Sequence, residues 1–468
     1  MAMQSINPAT GTVIETFETF TSAQTNEALD QARQAFLAWR ETSFDERSSL
    51  LRRVALYLRE HKAELGRVAT LEMGKPIAES EAEVEKCAWN CDYYAENAGS
   101  FLANESIATN AAESYVEFVP IGVVLAIMPW NFPYWQVMRF AAPAIMAGNA
   151  ALLKHASNAS RCGLEIERAF HESGAPEGLF RTLLVPSAGV EDIIADPRVA
   201  AVTLTGSTPA GSQVAAAAGR AIKKTVLELG GSDAFIVLED ADLDGAAQTA
   251  ARSRFQNTGQ SCIAAKRFIV VDAAAEEFEH KFVEAAAQLK VGDPLERETQ
   301  IGPMARGDLR DSLIKQVRDS VAMGAKVALG GQALDRPGYF YAPTIVTQVT
   351  AEMPVFREET FGPAAAVIRA GSTEQAIALA NDSIFGLGGN LWTTDIGRAR
   401  ELVRHLESGN VFINGMTASD PRLPFGGVKM SGYGRELSAF GIREFVNTQT
   451  IWIGPAQGPA TASAPAAE

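Results

Sequence analysis

The sequence predicts an α/β protein with two mainly parallel β-sheets, each covered by helices. Three observations support this fold class. The chain has 468 residues, which is too many for one ordinary hydrophobic core. Its composition, 47% hydrophobic and 21% charged, is that of a folded protein. Short apolar runs and helix-like segments alternate along most of the chain, and this order is typical of βαβ units.

The first half of the chain forms one such series. Apolar residues at helical spacing predict helices at residues 22–59, 63–71, 77–98, 163–173, 190–195 and 210–221. Apolar runs bounded by turn residues predict strands at residues 116–128, 150–154, 180–185, 200–205 and 224–229. Because strands and helices alternate in this half, we expect its sheet to be parallel.

A second series follows Gly230-Gly231, where we place a domain boundary. It begins with a strand at residues 234–237 and a helix at residues 242–255. Further segments of the same kinds are residues 268–271, 276–289, 308–323, 326–330, 364–368, 373–381, 389–392, 396–406 and 410–413. Residues 454–468 are rich in Ala, Pro, Gly and Ser, and we expect a disordered tail there.

The charge and the cysteines exclude several classes of protein. With a net charge of -15, the surface repels phosphate backbones, so we expect neither nucleic acid nor a membrane as a partner. Four cysteines without CxxC spacing or a His cluster predict neither a disulfide framework nor a metal site. Because the N-terminus lacks a signal-peptide pattern and the longest apolar stretch is short, we expect a cytoplasmic protein.

Two of five short motifs combine a turn with a reactive or capping side chain. At Thr205-Gly206-Ser207 a strand ends and a helix begins, and the free N–H groups of a helix start suit a pyrophosphate. The spacing is not GxGxxG, so this motif alone is better explained as an ordinary capped turn. Residues 257–262 place Cys262 after a Gly-containing turn, where the thiol is either a nucleophile or a small buried apolar group.

The other three motifs carry a carboxylate or an amide. Glu228 stands in an apolar strand and is either a general base with a raised pKa or one half of a buried ion pair. Asn131 follows a strand and either donates to an oxyanion or satisfies turn backbone groups. Glu359 and Phe361 form an acidic-aromatic turn that suits ribose hydroxyls, unless the acidic group is simply solvated.

The order and separations of these motifs resemble those of the aldehyde dehydrogenase superfamily. The resemblance extends from residues 7–11 to residues 445–447 and includes residues 424–432 and 434–436. It implies a Rossmann-like cofactor domain, an α/β catalytic domain and a small β oligomerisation element in a homodimer or homotetramer. We expect the cofactor domain at residues 1–99 and 118–230, the catalytic domain at residues 231–443, and the oligomerisation element at residues 100–117 and 444–453.

The resemblance also implies a role for each motif residue. Cys262 would attack the aldehyde carbonyl, and Asn131 with the Cys262 N–H would hold the oxyanion. Glu228 would activate the water that hydrolyses the resulting thioester. The cofactor would be NAD or NADP. Its contacts would come from Trp130, Lys154, Ser157, Thr205, Gly206, Ser207, Leu229, Glu359 and Phe361.

Two positions differ from the pattern of many relatives. NAD-preferring members often have a Glu three residues after the Lys that matches Lys154, and this chain has Ser157. A Glu would repel a ribose 2′-phosphate and Ser would not, so both NADP and NAD stay open. Ser261 precedes the nucleophile, so the chain has no vicinal thiol that could protect Cys262 as a disulfide.

The expected substrate is a small aldehyde, and Arg139 favours one with a distal carboxylate. Arg139 lies eight residues after Asn131, and this segment resembles succinate-semialdehyde dehydrogenases, in which an Arg binds the carboxylate. The alternative is a structural Arg on a helix face. Some of those enzymes have a second Arg where this chain has Gln256, and we expect Arg422 to supply that charge. Removing Arg139 should then abolish the preference and spare uncharged aldehydes.

Three other hypotheses stay open. The first is a dehydrogenase for uncharged aliphatic or aromatic aldehydes. The second is a structural protein that has kept the fold without activity, and the presence of Cys262, Glu228 and Asn131 together argues against it. The third is a CoA-acylating enzyme, which is disfavoured because such enzymes generally lack the base that Glu228 provides.

Overall fold

The computed structural model describes residues 2–454, which begin with a hairpin and four helices. The elements up to the small sheet are β1 Ala2–Ile6, β2 Val13–Glu18, α1 Ser22–Trp39, α2 Phe44–Glu60, α3 Lys62–Met73, α4 Ile77–Phe101, β3 Glu105–Ser106 and β4 Glu113–Pro120. Nine alternating elements follow: β5 Val123–Met128, α5 Trp135–Met146, β6 Ala150–His155, α6 Ser160–Glu172, β7 Phe180–Thr182, α7 Val190–Ala195, β8 Val199–Thr205, α8 Thr208–Arg220 and β9 Lys224–Glu228. The predicted tail at residues 455–468 lies outside the described residues.

The second half contains a similar series of strands and helices, and its last strands join sheets that begin in the first half. Its elements are β10 Asp233–Val237, α9 Leu243–Phe255, β11 Ala265–Val271, α10 Asp272–Ala287, α11 Gly307–Ala322, β12 Lys326–Leu329, β13 Thr344–Thr347, α12 Pro354–Arg357, β14 Ala364–Ala370, α13 Thr373–Asn381, β15 Phe385–Gly386, β16 Gly388–Trp392, α14 Ile396–Leu402 and β17 Asn410–Ile413. The last elements are β18 Val428–Lys429, β19 Gly432–Tyr433, α15 Ser438–Ile442 and β20 Val446–Ile453.

The first large sheet has six strands in the order β19-β9-β8-β5-β6-β7. Its last five strands are parallel, and β19 joins β9 in the antiparallel sense. Strands β5 and β6 are almost wholly buried, because helices cover both faces of the sheet. The predicted parallel sheet is therefore confirmed, and β19 reaches it from some 200 residues further along the chain.

The second large sheet has seven strands in the order β12-β13-β14-β11-β10-β16-β17. All neighbouring pairs are parallel except β12 with β13. A third sheet has the order β20-β4-β3 and pairs Val446 with Pro120 through Ile453 with Glu113. Together the three sheets confirm the α/β fold class, and the expected division into domains stays a prediction.

Several elements differ from the sequence-based expectation. The segment at residues 22–59 is two helices, because Ser43 and Glu46 form a capping box that starts α2. Helix α5 was missed because all twelve of its residues are buried, so it has no polar face to reveal a helical period. The hairpin of β1 and β2 and the short strand β13 were also missed. In the described part of the chain, no helix is long and apolar enough to cross a membrane.

Candidate active site

Three predicted motifs meet at one edge of the first sheet. Asn131 follows the end of β5, Ser207 follows the end of β8, and Glu228 is the last residue of β9. These strands are parallel neighbours, with β8 between β5 and β9. The carboxyl ends of parallel strands lie at the same edge of a sheet, and ligands of α/β proteins bind there. The sheet topology therefore brings together residues that are about 100 positions apart in the sequence.

The loop before Cys262 has an unusual backbone. Asn257, Thr258 and Gly259 all have positive φ angles, of 54°, 55° and 71°. Two of these residues are not glycine, so the surrounding structure must hold the loop in this conformation. Gly259 cannot be replaced, since a Cβ there would lie 2.4 Å from the Gly362 carbonyl oxygen. The surrounding structure therefore fixes the conformation of the turn that precedes Cys262.

Contacts from α4 and from the segment after β5 hold this loop in place. The Asn257 N–H donates to Glu79 Oε2 at 2.8 Å, and Asn257 Nδ2 donates to the Asn131 carbonyl at 2.8 Å. Asn131 Nδ2 donates in turn to the Gln260 carbonyl at 3.1 Å. Only one of its amide hydrogens has an acceptor among the described residues, so the second is available for an oxyanion.

A buried lysine fixes the backbone on the other side of the thiol. Lys266 Nζ donates to the carbonyls of Ser261, Cys262 and Ala264 at 3.0, 2.8 and 3.1 Å. Glu359 lies 3.8 Å away from the same ammonium. Lys266 therefore ties the Cys262 turn to the Glu359 motif. The sequence analysis assigned Lys266 no role, although a lysine in an apolar strand was a usable signal.

Cys262 differs from the other three cysteines of the chain. All four are unpaired, and Cys87, Cys91 and Cys162 are fully buried, whereas Cys262 is partly exposed. Loss of solvent around the sulfur raises the pKa of the Cys262 thiol to about 12, although the charges of Arg139 and Lys266 act to lower it. The thiol is therefore protonated at neutral pH in the free protein and needs a base before it can act as a nucleophile.

The Glu228 carboxylate is buried and accepts no hydrogen bond from the described residues. Burial raises its pKa well above the ordinary value, and the like charge of Glu436 raises it further. Arg139 and Arg435 act in the opposite direction. An unpartnered carboxylate with a raised pKa is suited to take up a proton, which fits the predicted role of a general base.

Arg139 lies beside this carboxylate and already has an anionic partner. Its guanidinium forms an ion pair with Glu436, lies 4.8 Å above the Phe425 ring, and has Thr205 Oγ1 at 3.4 Å. The side chain is only 2% exposed. The sequence analysis quoted Glu436 as part of a motif and could not pair it with Arg139, because 297 positions separate them. Removing Arg139 alone would therefore leave Glu436 buried and unpaired.

Arg422 has a different position from the one expected. Its side chain is 66% exposed and forms a bidentate ion pair with Asp420 at 2.9 and 2.6 Å. It also lies 5.5 Å from the Trp89 ring. Its charge is thus balanced by a neighbour at the surface, and the geometry argues against Arg422 as the second cation of a substrate pocket.

The expected cofactor residues follow the strand ends of the first sheet. Lys154 on β6 is buried, has no hydrogen-bond or ion-pair partner among the described residues, and has its pKa lowered by burial. Ser157 is exposed three residues later. Ser207 caps α8 by accepting from the Ala210 N–H, and Gly206 lies in the turn before it. A buried cation without an anion and a helix start, both at the carboxyl edge of one sheet, fit a ligand with phosphate and hydroxyl groups.

The remaining cofactor candidates lie between the two large sheets. Glu359 accepts from the Gly231 N–H at 3.0 Å, and a Cβ on Gly230 would lie 2.5 Å from Glu359 Oε2. The Trp130 and Phe361 rings meet edge to face with centroids 5.7 Å apart. These contacts link the motif on the second sheet to the strand ends of the first, so the residues present can hold a dinucleotide.

The comparison with protein-family models covers almost the whole chain. The model of the aldehyde dehydrogenase family matches residues 1–451. The chain belongs to the aldehyde dehydrogenase family. It is therefore an oxidoreductase, as the sequence analysis predicted.

Two named relatives and one solved structure match this chain over almost its whole length. A protein of Synechocystis sp. named probable succinate-semialdehyde dehydrogenase [NADP(+)] is 52% identical over 97% of this chain and 100% of its own length. A Mycobacterium tuberculosis protein named succinate-semialdehyde dehydrogenase [NADP(+)] 1 is 51% identical, with the same coverage. The crystal structure of succinic semialdehyde dehydrogenase from Streptococcus pyogenes with NADP+ has a TM-score of 0.95 at 39% identity, covering 97% of this chain and 100% of that one.

Within this aldehyde dehydrogenase, the structure brings most of the predicted site residues to the strand ends of the first sheet and the loops that face them. Asn131 donates to the loop that carries Cys262, and the charge of Glu228 acts on the Cys262 pKa. Arg422 is the exception, since it is exposed and already paired. The contributions of Lys266 and Glu436 were missed, because both act through contacts with distant parts of the chain.

Proposed function

We propose that this enzyme oxidises succinate semialdehyde to succinate with NADP as the hydride acceptor. The observation that carries the substrate assignment is the buried guanidinium of Arg139, which lies close enough to Cys262 and Glu228 to act on the pKa of both. A positive charge at that place favours an aldehyde with a negative group at its far end. The names of the relatives that are 51–52% identical support the same substrate.

The chemistry uses the side chains in two stages. In the first, the partly exposed Cys262 thiol passes its proton to solvent water, the sulfur attacks the carbonyl carbon, and the Asn131 amide donates to the oxygen that becomes negative. A nicotinamide held by Glu359 and Phe361 would supply the hydride acceptor of this stage, and the acyl group would then remain on Cys262 as a thioester. In the second stage, Glu228 removes a proton from water, which attacks the thioester carbon and releases the carboxylate and the free thiol.

Lys154 and Ser157 support NADP as the preferred cofactor. Lys154 is a buried cation without a partner among the described residues, and an exposed serine three residues later adds no negative charge. A ribose 2′-phosphate would therefore meet attraction and no repulsion there. Glu359 and Phe361 would hold the nicotinamide half, and Ser207 the pyrophosphate. The NADP(+) in the names of the relatives supports this preference.

The test is a set of initial rates with two four-carbon aldehydes and both cofactors. We expect kcat/KM for succinate semialdehyde to exceed that for butanal by about 10- to 100-fold, because a charged hydrogen bond in a partly buried pocket contributes roughly 1.5–3 kcal/mol. NADP should give the higher value with either aldehyde. Equal values for the two aldehydes would contradict the substrate assignment.

One observation favours a second candidate, a dehydrogenase for uncharged aldehydes. The charge of Arg139 is already balanced by Glu436, so this arginine alone leaves little net positive charge for a carboxylate. Buried aromatic side chains such as Trp135 and Phe425 lie in the same region and suit an apolar substrate. A butanal rate equal to or above that of succinate semialdehyde would support this candidate.

We also propose that the enzyme is a homo-oligomer joined through the small sheet. Strand β20 is an outer strand of that sheet, and most of its side chains are exposed, including Trp452 at 54% and Ile453 at 44%. A long exposed edge strand readily pairs with a second chain. Light scattering after gel filtration should give two or four times 50.0 kDa, and Trp452→Glu should lower that mass.

We propose a cytoplasmic location on the basis of the thiol chemistry. All four cysteines are unpaired, and the proposed nucleophile is one of them. A reducing compartment keeps such thiols free, so we place the enzyme in the cytoplasm. Cell fractionation with an activity assay tests this, and activity in a periplasmic or secreted fraction would contradict it.

A further inference from the structure

A buried lysine beside the reacting thiol has no part in the chemistry above. Lys266 is the second residue of β11, and its side chain is fully buried. All three hydrogens of its ammonium group are donated to carbonyl oxygens of one turn, those of Ser261, Cys262 and Ala264. In the part of the chain that the structure describes, Glu359 is the only carboxylate within ion-pair distance, at 3.8 Å. A neutral donor would cost less to bury, so the positive charge at this place calls for an explanation.

The lysine fixes the direction of the peptide group that leads into Cys262. The Ser261 carbonyl oxygen accepts from Lys266 Nζ at 3.0 Å and from the Ala264 N–H at 3.2 Å, so both of its lone pairs are used. The peptide bond between Ser261 and Cys262 is trans, so its N–H points in the direction opposite to its carbonyl. The Cys262 N–H therefore points away from the lysine, and it has no acceptor among the described residues.

The neighbouring peptide groups are also fixed. The Cys262 carbonyl oxygen accepts from Lys266 Nζ at 2.8 Å, and a Cβ on Gly231 would lie 2.7 Å from the same oxygen. On the other side of the Ser261 carbonyl, the Gln260 carbonyl accepts from Asn131 Nδ2 at 3.1 Å. Three successive carbonyls are thus held by side chains, so the direction of the Cys262 N–H is set before a substrate arrives.

The positive charge also changes the strength of this N–H as a donor. A hydrogen bond from a charged group polarises the peptide unit that accepts it, and the N–H of that unit then becomes a stronger donor. The effect is larger in a buried site than in water. The Ser261 carbonyl accepts such a bond from Lys266, and the Cys262 N–H belongs to the same peptide unit.

We propose that Lys266 is a positioning residue of the oxyanion site. Its ammonium group aims the Cys262 N–H at the aldehyde oxygen that becomes negative, and it strengthens this N–H as a donor. The Asn131 amide supplies the other donor to the same oxygen. Lys266 acts only through the carbonyls of the turn, and no bond to it forms or breaks. The inference rests on the proposed function, because it needs Cys262 as the nucleophile.

Two reactions of the Cys262 thiol, both measured without cofactor, separate this role from a structural one. Acylation by p-nitrophenyl acetate passes through a tetrahedral oxyanion, whereas alkylation by iodoacetamide forms no oxyanion. Both reactions need the thiolate and access to it. The ratio of the two rate constants at one pH therefore cancels any change in thiol exposure or in the Cys262 pKa, which Lys266 also lowers.

Lys266→Met is the decisive variant, because methionine has a similar length and neither charge nor donor. The ratio of acylation to alkylation should fall about 10-fold, less than the roughly 10²–10³-fold effect of losing an oxyanion donor outright. Lys266→Gln keeps a neutral donor and should recover part of the ratio. Arg267→Met is the matched control and should leave the ratio unchanged. It removes a buried cation of the same strand that donates to the carbonyls of Ser232, Leu379 and Ala380, outside the Cys262 turn.

Turnover and mass spectrometry complete the test. With NADP, Lys266→Met should lower kcat/KM for succinate semialdehyde and for butanal by the same factor, since both aldehydes form the oxyanion. An unchanged ratio of acylation to alkylation in Lys266→Met, or an equal fall in Arg267→Met, would overturn the inference while the proposed function stands. If no acetyl group is found on Cys262 in Glu228→Gln, the covalent route of the proposed function itself fails. Should Lys266→Met not fold, Lys266→Gln carries the same test.

Discussion

Ser157→Glu tests the cofactor proposal at a single exposed position. Ser157 opens a short 3-10 turn after β6, three residues beyond the unpaired Lys154. Its side chain makes no hydrogen bond within the described residues. Glutamate at this place adds one negative charge near the group that distinguishes NADP from NAD. The variant should therefore change NADP kinetics and leave NAD kinetics similar or better.

The size of the effect follows from the exposure of Ser157. A water-like dielectric applies to an exposed side chain, and two unit charges 4 Å apart then interact by about 1 kcal/mol. A phosphate monoester carries about -1.5 to -2 charges at neutral pH, so the repulsion is about 1.5–2 kcal/mol. That energy corresponds to a loss of about 10- to 30-fold in kcat/KM for NADP.

The assay is NADPH or NADH absorbance with saturating aldehyde and varied cofactor. Ser157→Gln is the matched control, because it has the size of Glu without the charge, and it should keep most of the NADP activity. The loss in Ser157→Glu should shrink in about 1 M salt, where the screening length is about 3 Å. If kcat/KM for NADP is unchanged in Ser157→Glu, or falls equally in both variants, position 157 does not face a 2′-phosphate.

Three further predictions concern the reaction centre. Cys262→Ala should abolish aldehyde oxidation and keep cofactor binding, measured by fluorescence titration, whereas Cys162→Ser should retain activity. Glu228→Gln should give a rapid burst of NADPH and then a slow steady state in stopped flow, because only thioester hydrolysis needs the carboxylate. Since the Glu228 pKa is raised, kcat should fall as the pH drops through that value. Glu436→Gln removes a like charge and frees Arg139, so the pH at which kcat falls should become lower.

Clear results would contradict each of these three. Turnover by Cys262→Ala would exclude the covalent route, and wild-type steady-state turnover by Glu228→Gln would show that this glutamate is structural. If the pH at which kcat falls is the same in Glu436→Gln as in the wild type, the group that titrates is not Glu228. The Arg139 variant is a poor single test, because its loss leaves Glu436 unpaired beside Glu228 and would slow every aldehyde. Arg139→Ala should therefore be combined with Glu436→Gln.

Local sequence patterns predicted most of the helices and strands, but they missed α5, which is buried on all of its faces. The alternation of strands and helices was visible because each strand is apolar and each covering helix has one polar face. Helix α5 lacks that face, since it lies inside the protein on every side. The start of α2 was visible in principle as Ser43 and Glu46, which have the spacing of a capping box.

The sequence by itself determined the family and the reacting side chains. Cys262, Asn131 and Glu228 stand in short motifs whose order and spacing are specific, so they are recognisable without coordinates. The tertiary structure decided the pKa values, the ion pairs and the backbone contacts of these groups. Glu436 balances Arg139 from 297 positions away, Lys266 holds the carbonyls around the thiol, and burial raises the Cys262 pKa. Charge and burial act through space, and a linear pattern does not record which distant residues share a low-dielectric site.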